Sequence, residues 1–496
     1  MKHVLAIDQG TTGSTCLVVS ADGKVAGRGY REITQYFPRP GWVEHDAVEI
    51  FERTVAAARD AIASSGVIPD AIGITNQRET IVLWDRSNGE PLARAIVWQD
   101  RRTVERCREL APRAADISAR TGLPLDPYFS ATKIEHLLSL PAIDANVGTG
   151  NVVAGTIDSW LIWKLTGGAV HATDPTNASR TMLFDTSTRA WSKELCSIFS
   201  VPLEMLPEVR RSSGDFGVAT SEHFGVEIPI LGAAGDQQAA LFGQGCVNPG
   251  EAKNTYGTGA FLLLNTGGIR ADPGDGILST VACDATGGYA FALEGSIFIA
   301  GAAVQWLRDG LGIIKDASET ETLARGLESN DGVYFVPALA GLGAPHWEPD
   351  ARGMITGLTR GATRAHLARA ALEAMAFGTA DVVEAMRVRS GVPFERLRVD
   401  GGATVNDWLM QFQADVLGVP VERSEIVETT ALGAAGLAGV AGGVWRDGSE
   451  FHAVRSYKTF APAADADRVT ASRAGWNRAV RAALHWARDN GSSEEQ

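Results

Sequence analysis

The sequence predicts an α/β protein built from two related halves that meet near residue 250. Three features of the chain point there. Short β-branched and apolar runs alternate with longer stretches of helical periodicity, as in α/β architectures. A strand, a turn rich in Gly and Thr and a second strand open the chain (residues 5–20), and the same order and spacing return in residues 252–266. At about 150 residues per domain, the 496 residues imply roughly two to four domains, with 45% hydrophobic content to fill their cores.

In chain order, HVLAID (residues 3–8) and CLVVS (residues 16–20) read as strands flanking the first Gly/Thr turn. VEIFERTVAAARDAIASSG (residues 48–66) reads as an amphipathic helix stopped by Gly66. AIGITN (residues 71–76) and TIVLWD (residues 80–85) return to strand. The cycle restarts with AKNTYGTGAFLLLNT (residues 252–266), which divides the chain into units 1–250 and 251–496. GSIFIAGAAVQWLRDGLG (residues 295–312) reads as a helix on which Gly301 and Gln305, four apart, share a face. In LRVDGGATVNDWLMQFQAD (residues 397–415) a strand ends at Asp400, Gly401 and Gly402 turn the chain, and a helix follows with Asn406 in its first turns. The small-residue run at residues 431–445 is shorter than the roughly twenty residues that span a bilayer. Its GAAGLAG, with no strand before it, reads as close helix packing rather than a dinucleotide fingerprint.

Net charge is −14, from 59 acids against 45 bases, and no cluster of Lys and Arg offers a nucleic-acid surface. No charged start leads into an apolar signal stretch, so the expected location is the cytoplasm and no integral membrane role is expected. Cys16, Cys107, Cys196, Cys246 and Cys283 are odd in number, scattered and without a CxxC pair, which points to reduced packing residues rather than a disulfide framework or structural zinc.

Asp236, in GAAGDQQAALFGQG (residues 232–245), stands out as an acid among small residues. An Asp after Gly is commonly a helix cap or turn former. Here it lies about twenty residues before NTYGTGAF (residues 254–261), and the first turn segment ends its own apolar strand at Asp8. Two such hairpins facing each other across a cleft would aim backbone N–H groups and Thr hydroxyls at a polyphosphate. There is no GxxxxGK[ST] loop and no HRD or DFG signature, so any nucleotide is bound without a Walker loop. The Gly401–Gly402 turn with Asn406 could lay an adenosine against bare backbone, or be an ordinary βα turn. A gap at Gly301 beside Gln305 would suit a flat base, or serve helix packing.

Taken together, DQGTTGS, ITNQRET (residues 74–80), VWQDRR (residues 97–102), DPYFSATK (residues 126–133), NASRTMLFD (residues 177–185), AGDQQAALFGQ, NTYGTGAF and VDGGA resemble the glycerol kinases of the FGGY carbohydrate kinase family, over nearly the whole chain. The resemblance implies the actin and hexokinase type of ATPase fold, two ribonuclease-H-like domains with a nucleotide cleft between them. It implies ATP-dependent phosphorylation of glycerol to sn-glycerol 3-phosphate and ADP, in glycerol uptake and catabolism, by a homodimer or homotetramer.

Residue by residue, the resemblance implies that Arg78 and Glu79 hold the hydroxyls that are not phosphorylated, a planar fork of donors beside an acceptor pair. Neighbouring strand residues face opposite ways, so both reach one ligand only where the strand ends or bulges; otherwise the two form a surface ion pair. Tyr128 would supply a hydroxyl, Trp98 and Phe261 apolar walls, and Asp236 and Gln237 contacts to the reacting end, with Asp236 the general base. Thr11, Thr12, Gly13 and Thr258 would cradle phosphates, and Gly301, Gln305, Gly402 and Asn406 the adenosine. Asp8 and Asp236 would hold Mg²⁺ through water.

The chain departs from the family pattern at Thr15, where well-known members carry an Arg that touches nucleotide phosphates. TSEHFGVEIPI (residues 220–230) lacks the longer basic loop with which some members bind fructose 1,6-bisphosphate, so no such inhibition is expected. His223 in that stretch aligns with a histidine that some members have phosphorylated by the phosphocarrier protein of the sugar phosphotransferase system; a lone surface His is the plainer alternative. A kinase for another small polyol or ketose, and a slow actin-like ATPase acting as a switch or filament, remain as alternatives.

Overall fold

A computed structural model describes residues 2–143, 150–426 and 428–489. Its N-terminal half is built on a six-stranded sheet in the order Val218–Ala219, Ile228–Gly235, Ala71–Asn76, His3–Gln9, Gly13–Ser20, Val25–Glu32. The first three strands of the chain form an antiparallel meander, while Ala71–Asn76 and Ile228–Gly235 run parallel to the first. The C-terminal half repeats the plan. Glu251–Tyr256, Ala260–Gly267 and Tyr289–Ile297 form the meander, and Arg396–Asp400 and Val421–Ser424 lie parallel to its first strand. Ile277–Cys283 is added at the meander edge and Tyr457–Phe460 at the other. The two related α/β halves predicted from the duplicated hairpin are therefore one sheet topology used twice.

Local chemistry explains the elements that matter for the site. The helix Ala47–Ser65 starts where Asp46 accepts the N–H groups of Val48 (2.9 Å) and Glu49 (3.1 Å), and stops at left-handed Gly66. The second strand begins at Gly13, three residues before the apolar run CLVVS, because Ser14 and Thr15 continue the antiparallel register against Gln9 and Asp8. The helix expected over residues 295–312 is not one element. The strand Tyr289–Ile297 runs into this segment, and only Gly301–Gln305 is α-helical before a wide π-type turn over Trp306–Gly310. Its β-branched Ile297 and Ile299 belong to the strand and the turn that follows it, which the apolar periodicity of the run concealed.

The helix Thr429–Ala441 packs against the N-terminal sheet and the helix Asp236–Gly243. The contact is main chain on main chain: a Cβ on Gly433 would overlap the Ala239 carbonyl, and one on Gly73 would overlap that of Ala434. The small-residue run is thus close helix packing, as its composition suggested. No described helix is long and apolar enough to cross a membrane, and all five cysteines are buried and unpaired.

Candidate active site

The strand Ala71–Asn76 ends just before Gln77, and Glu79 takes a left-handed backbone conformation (φ +62°). This break in the pleat lets consecutive side chains enter one cluster: Arg78 Nε lies 3.8 Å from Glu79 Oε1. Both are buried, at 3% and 1% exposure, which removes the surface ion-pair reading. Arg78 turns both Nη groups onto Glu294 (2.6 and 2.9 Å), and its Nε lies 3.1 Å from Asp236 Oδ1. Arg180 donates from Nε to Glu79 (2.6 Å) and from Nη2 to Glu294 (3.3 Å). Two arginines and two glutamates, all buried, thus form a closed quartet with Asp236 at its edge.

Burial and charge pull the two glutamates apart. Burial disfavours ionised Glu294, but Arg180 and Arg78 outweigh it and hold its carboxyl down at about 2. Burial dominates at Glu79 and raises its pKa despite the same two arginines. Asp236 is likewise raised, first by burial, with Arg78, the Gln237 N–H and Lys253 opposing. The N-cap of Asp236–Gly243 is Gly235, so Asp236 sits in the first turn rather than capping. Its Oδ1 still accepts the Gln237 N–H at 2.6 Å.

Trp98 donates from Nε1 to Thr11 Oγ1 (2.9 Å) and meets the Tyr128 ring edge-on at 5.6 Å. With Gln237, Phe261 and the Gly257–Gly259 turn they line a cavity of about 750 Å³. A second cavity, about 600 Å³, is lined by Gly301, Gln305, Gly402 and Asn406, and Gly257 and Thr258 border both. The second hairpin is therefore the partition between two adjoining cavities. Thr12 is exposed at the tip of the first hairpin, which closes through a bond from Gly10 N–H to the Gly13 carbonyl (2.9 Å).

Three residues predicted for the nucleotide have a different immediate cause. Gly301 is required by the hairpin: its N–H bonds the Gly257 carbonyl (3.0 Å), which an added Cβ would meet at 2.6 Å. Gly13 lacks a side chain because the neighbouring Arg31 carbonyl leaves no space. Asn406 precedes its helix as the N-cap, its Oδ1 taken by the Leu409 N–H (2.9 Å) and its Nδ2 donating to Thr320 Oγ1 (3.4 Å), so one amide hydrogen is left to meet a base. A Cβ on Gly402, by contrast, would meet nothing within 4 Å.

Asp8 is the last residue but one of the first strand, in register with Thr15, and burial together with the Asp236 charge pushes its pKa up to about 7. A carboxylate whose ionisation is opposed by a neighbouring carboxylate is a fit for a hard divalent cation held partly through water. No cluster of three or more His, Cys, Asp or Glu side chains able to hold a metal occurs among the described residues.

The family model described as "FGGY family of carbohydrate kinases, N-terminal domain" matches residues 3–243, and the corresponding C-terminal domain matches residues 252–442. The chain belongs to the FGGY family of carbohydrate kinases. It is 53% identical to a glycerol kinase of Dechloromonas aromatica, covering 98% of both chains. It is 52% identical to "Glycerol kinase 2" of Thermotoga maritima, covering 98% of this chain and 99% of the relative. Among solved structures, Plasmodium falciparum glycerol kinase with ADP superimposes with a TM-score of 0.93 at 38% identity, covering 98% of each chain.

Four charged residues of this FGGY kinase's centre escaped the sequence reading: Arg180, Glu294, Lys133 and Lys253. Arg180 lies in NASRTMLFD, and Glu294 is the one acid inside the apolar run FALEGSIFIAG, so a charge in a buried strand was the available signal. Lys133 donates to the carbonyls of Tyr128 (2.7 Å) and Glu79 (3.3 Å), and burial lowers its pKa to about 7. Lys253 bonds Gln237 Oε1 and Thr255 Oγ1, joining a residue of each half. His223 is half-buried, edge-on to Phe51 at 5.3 Å, with Nε2 3.2 Å from the Lys164 carbonyl.

Proposed function

We propose that this protein transfers the γ-phosphoryl group of ATP to a terminal hydroxyl of glycerol, giving sn-glycerol 3-phosphate and ADP, as the entry step of glycerol catabolism in the cytoplasm. One observation carries the reading: a buried fork and acceptor, Arg78 and Glu79, stand beside Asp236, a carboxylate of raised pKa whose chain neighbour Gln237 lines a cavity that a Gly-Thr-Gly hairpin divides from a second. The glycerol kinases it matches at about half of all positions point the same way.

Arg78, Glu79 and Tyr128 hold the two hydroxyls that stay unmodified, with Trp98 and Phe261 against the carbons. Asp236 accepts the proton of the terminal hydroxyl as that oxygen forms its bond to the γ-phosphorus and the bond to the β-phosphate oxygen breaks. Thr11, Thr12, Gly13 and Thr258 hold phosphate oxygens, and Gly301, Gln305, Gly402 and Asn406 line the adenosine cavity. Asp8 and Asp236 are the residues that would hold Mg²⁺, which when bound neutralises phosphate charge. Units 1–250 and 251–496 bring the two substrates together, and the protein works as a homodimer or homotetramer.

The reading predicts ADP release that depends on glycerol, with glycerol preferred over dihydroxyacetone, glyceraldehyde and xylulose in a coupled assay. Propane-1,2-diol, which lacks one clamped hydroxyl, should lose at least ~10²-fold in kcat/KM, because its absence leaves buried donors unpaired. ADP release independent of any polyol would mark an ATPase switch, and a preference for xylulose would mark a ketose kinase.

His223 is the site at which a phosphorylated sugar-phosphotransferase carrier would act. With Nε2 occupied, the phosphoryl group would go to Nδ1. Transfer of label from the phosphorylated carrier, lost in His223→Ala, is the expected result, and label that persists in the variant removes the assignment. Residues 220–230 contain no Lys or Arg, so fructose 1,6-bisphosphate should leave activity unchanged.

A further inference from the structure

Glu294 belongs to the C-terminal sheet, on the strand Tyr289–Ile297, where it pairs with Leu263. Ser296, two residues further along the same strand, lines the larger cavity. Its partners come from the other half of the molecule. Both Nη groups of Arg78 converge on its two oxygens at 2.6 and 2.9 Å, and Arg180, which holds Glu79 at 2.6 Å, reaches it at 3.3 Å.

We infer that Glu294 is a positioning residue for polyol binding: it fixes both members of the polyol clamp, Arg78 directly and Glu79 through Arg180, and so ties the clamp to the half that carries the nucleotide cavity. The inference rests on the proposed glycerol kinase reading and deepens it.

Three physical points support this. A guanidinium has five donors in a rigid plane, and holding both Nη groups on one carboxylate fixes the orientation of that plane. The Nε edge is then left facing Asp236, 3.1 Å away, which is the geometry a clamp beside a general base requires. Second, Glu294 is 1% exposed and remains ionised, so a full negative charge is held inside the quartet. Buried ion pairs contribute little net stability once desolvation is set against attraction, so what such a quartet supplies is geometry rather than folding energy. Third, the Arg180 guanidinium lies over the Tyr128 and Phe129 rings, at 5.8 and 5.2 Å, so the same network abuts the wall from which Tyr128 would offer its hydroxyl.

The connectivity also has a direction. Arg78, Glu79 and Arg180 all belong to the N-terminal half and carry two positive charges against one negative. Glu294 alone brings the charge that closes the quartet, and it does so only when the halves are together. Without it Arg78 would be drawn onto Asp236 or Glu79, its nearest remaining acids.

The test is Glu294→Gln, which keeps the shape but removes the charge and turns one acceptor into a donor, with Glu294→Asp as the charge-conserving variant. KM for glycerol, and the glycerol dissociation constant by calorimetry, should rise at least about tenfold in Glu294→Gln, while kcat and the ADP dissociation constant change less than about threefold. Glu294→Asp should recover part of the glycerol affinity. In an Arg78→Gln background the same Glu294→Gln change should weaken glycerol binding by less than about fivefold, since the route through Arg78 is already cut and only that through Arg180 remains. A merely structural role would lower glycerol and ADP binding together and would add its effect in both backgrounds. Unchanged glycerol affinity in Glu294→Gln overturns the inference. If that variant does not fold, Glu294→Asp decides: wild-type glycerol affinity there overturns it, and a selective loss supports it. A wild-type protein that binds glycerol but releases no ADP would overturn the proposed reaction while still reporting on Glu294; one that does neither overturns both.

Discussion

Asp236→Asn should lower kcat at least ~10²-fold with ATP and ADP affinity close to wild type, the scale expected when a positioned general base is lost. The amide keeps the size of the side chain and can still accept the Gln237 N–H, which Asp236 bonds at 2.6 Å. Arg78 keeps its two bonds to Glu294, so the clamp stays in place. What disappears is the ability to take a proton from the attacking hydroxyl, and the raised pKa of Asp236 makes it a better base than an exposed aspartate. Gly301, Gln305 and Asn406, to which the proposed function assigns the nucleotide, line the other cavity. Steady-state kinetics with a separate ADP titration distinguishes the outcomes; more than a tenth of wild-type kcat in the variant would remove Asp236 from the role of base.

Gly433→Val should cost the fold about 3 kcal/mol or more, because the clash is with backbone and no rotamer relieves it. Its first added atom would overlap the Ala239 carbonyl, and the helix Thr429–Ala441 would have to lift from the helix Asp236–Gly243. By the usual scaling for units of 150–250 residues, Tm should drop by about 6 °C or more, read by calorimetry. Gly402→Ala is the matched control, since its Cβ would meet nothing within 4 Å and its stability should stay within about 1 kcal/mol. Equal Tm values for the two variants would show that the joint is loosely packed. Activity should fall with stability in Gly433→Val, because Asp236 begins the helix that would be displaced.

The parts of the fold written in local chemistry were legible. Gly and Thr at the two hairpins, Asp46 and Gly66 at the ends of one helix, and the return of a strand, turn and strand near residue 252 are short-range signals. That Arg78 and Glu79 enter one cluster was legible only through resemblance, since its structural condition, the left-handed Glu79, leaves no mark in residue type. Glu294 was not legible because its meaning lies in a partner 216 positions away. Gly301 shows the same limit from the other side: a glycine reads as space, but whether a base or a neighbouring carbonyl claims that space depends on which loop folds over it. Asn406 did carry a local signal, an N-cap residue ahead of DWLM, which the expectation of a base contact obscured.

The glycine contact between the helix Thr429–Ala441 and the N-terminal half has a mechanical consequence. Most helix contacts interlock, so that moving one element past another means lifting side-chain ridges out of grooves. Here main chain also meets main chain, where Gly433 touches Ala239 and Gly73 touches Ala434. Such a contact excludes water over its area and sets the spacing of the two elements to within one side-chain atom, so the helix that Asp236 begins is held at a fixed distance from the segment that braces it.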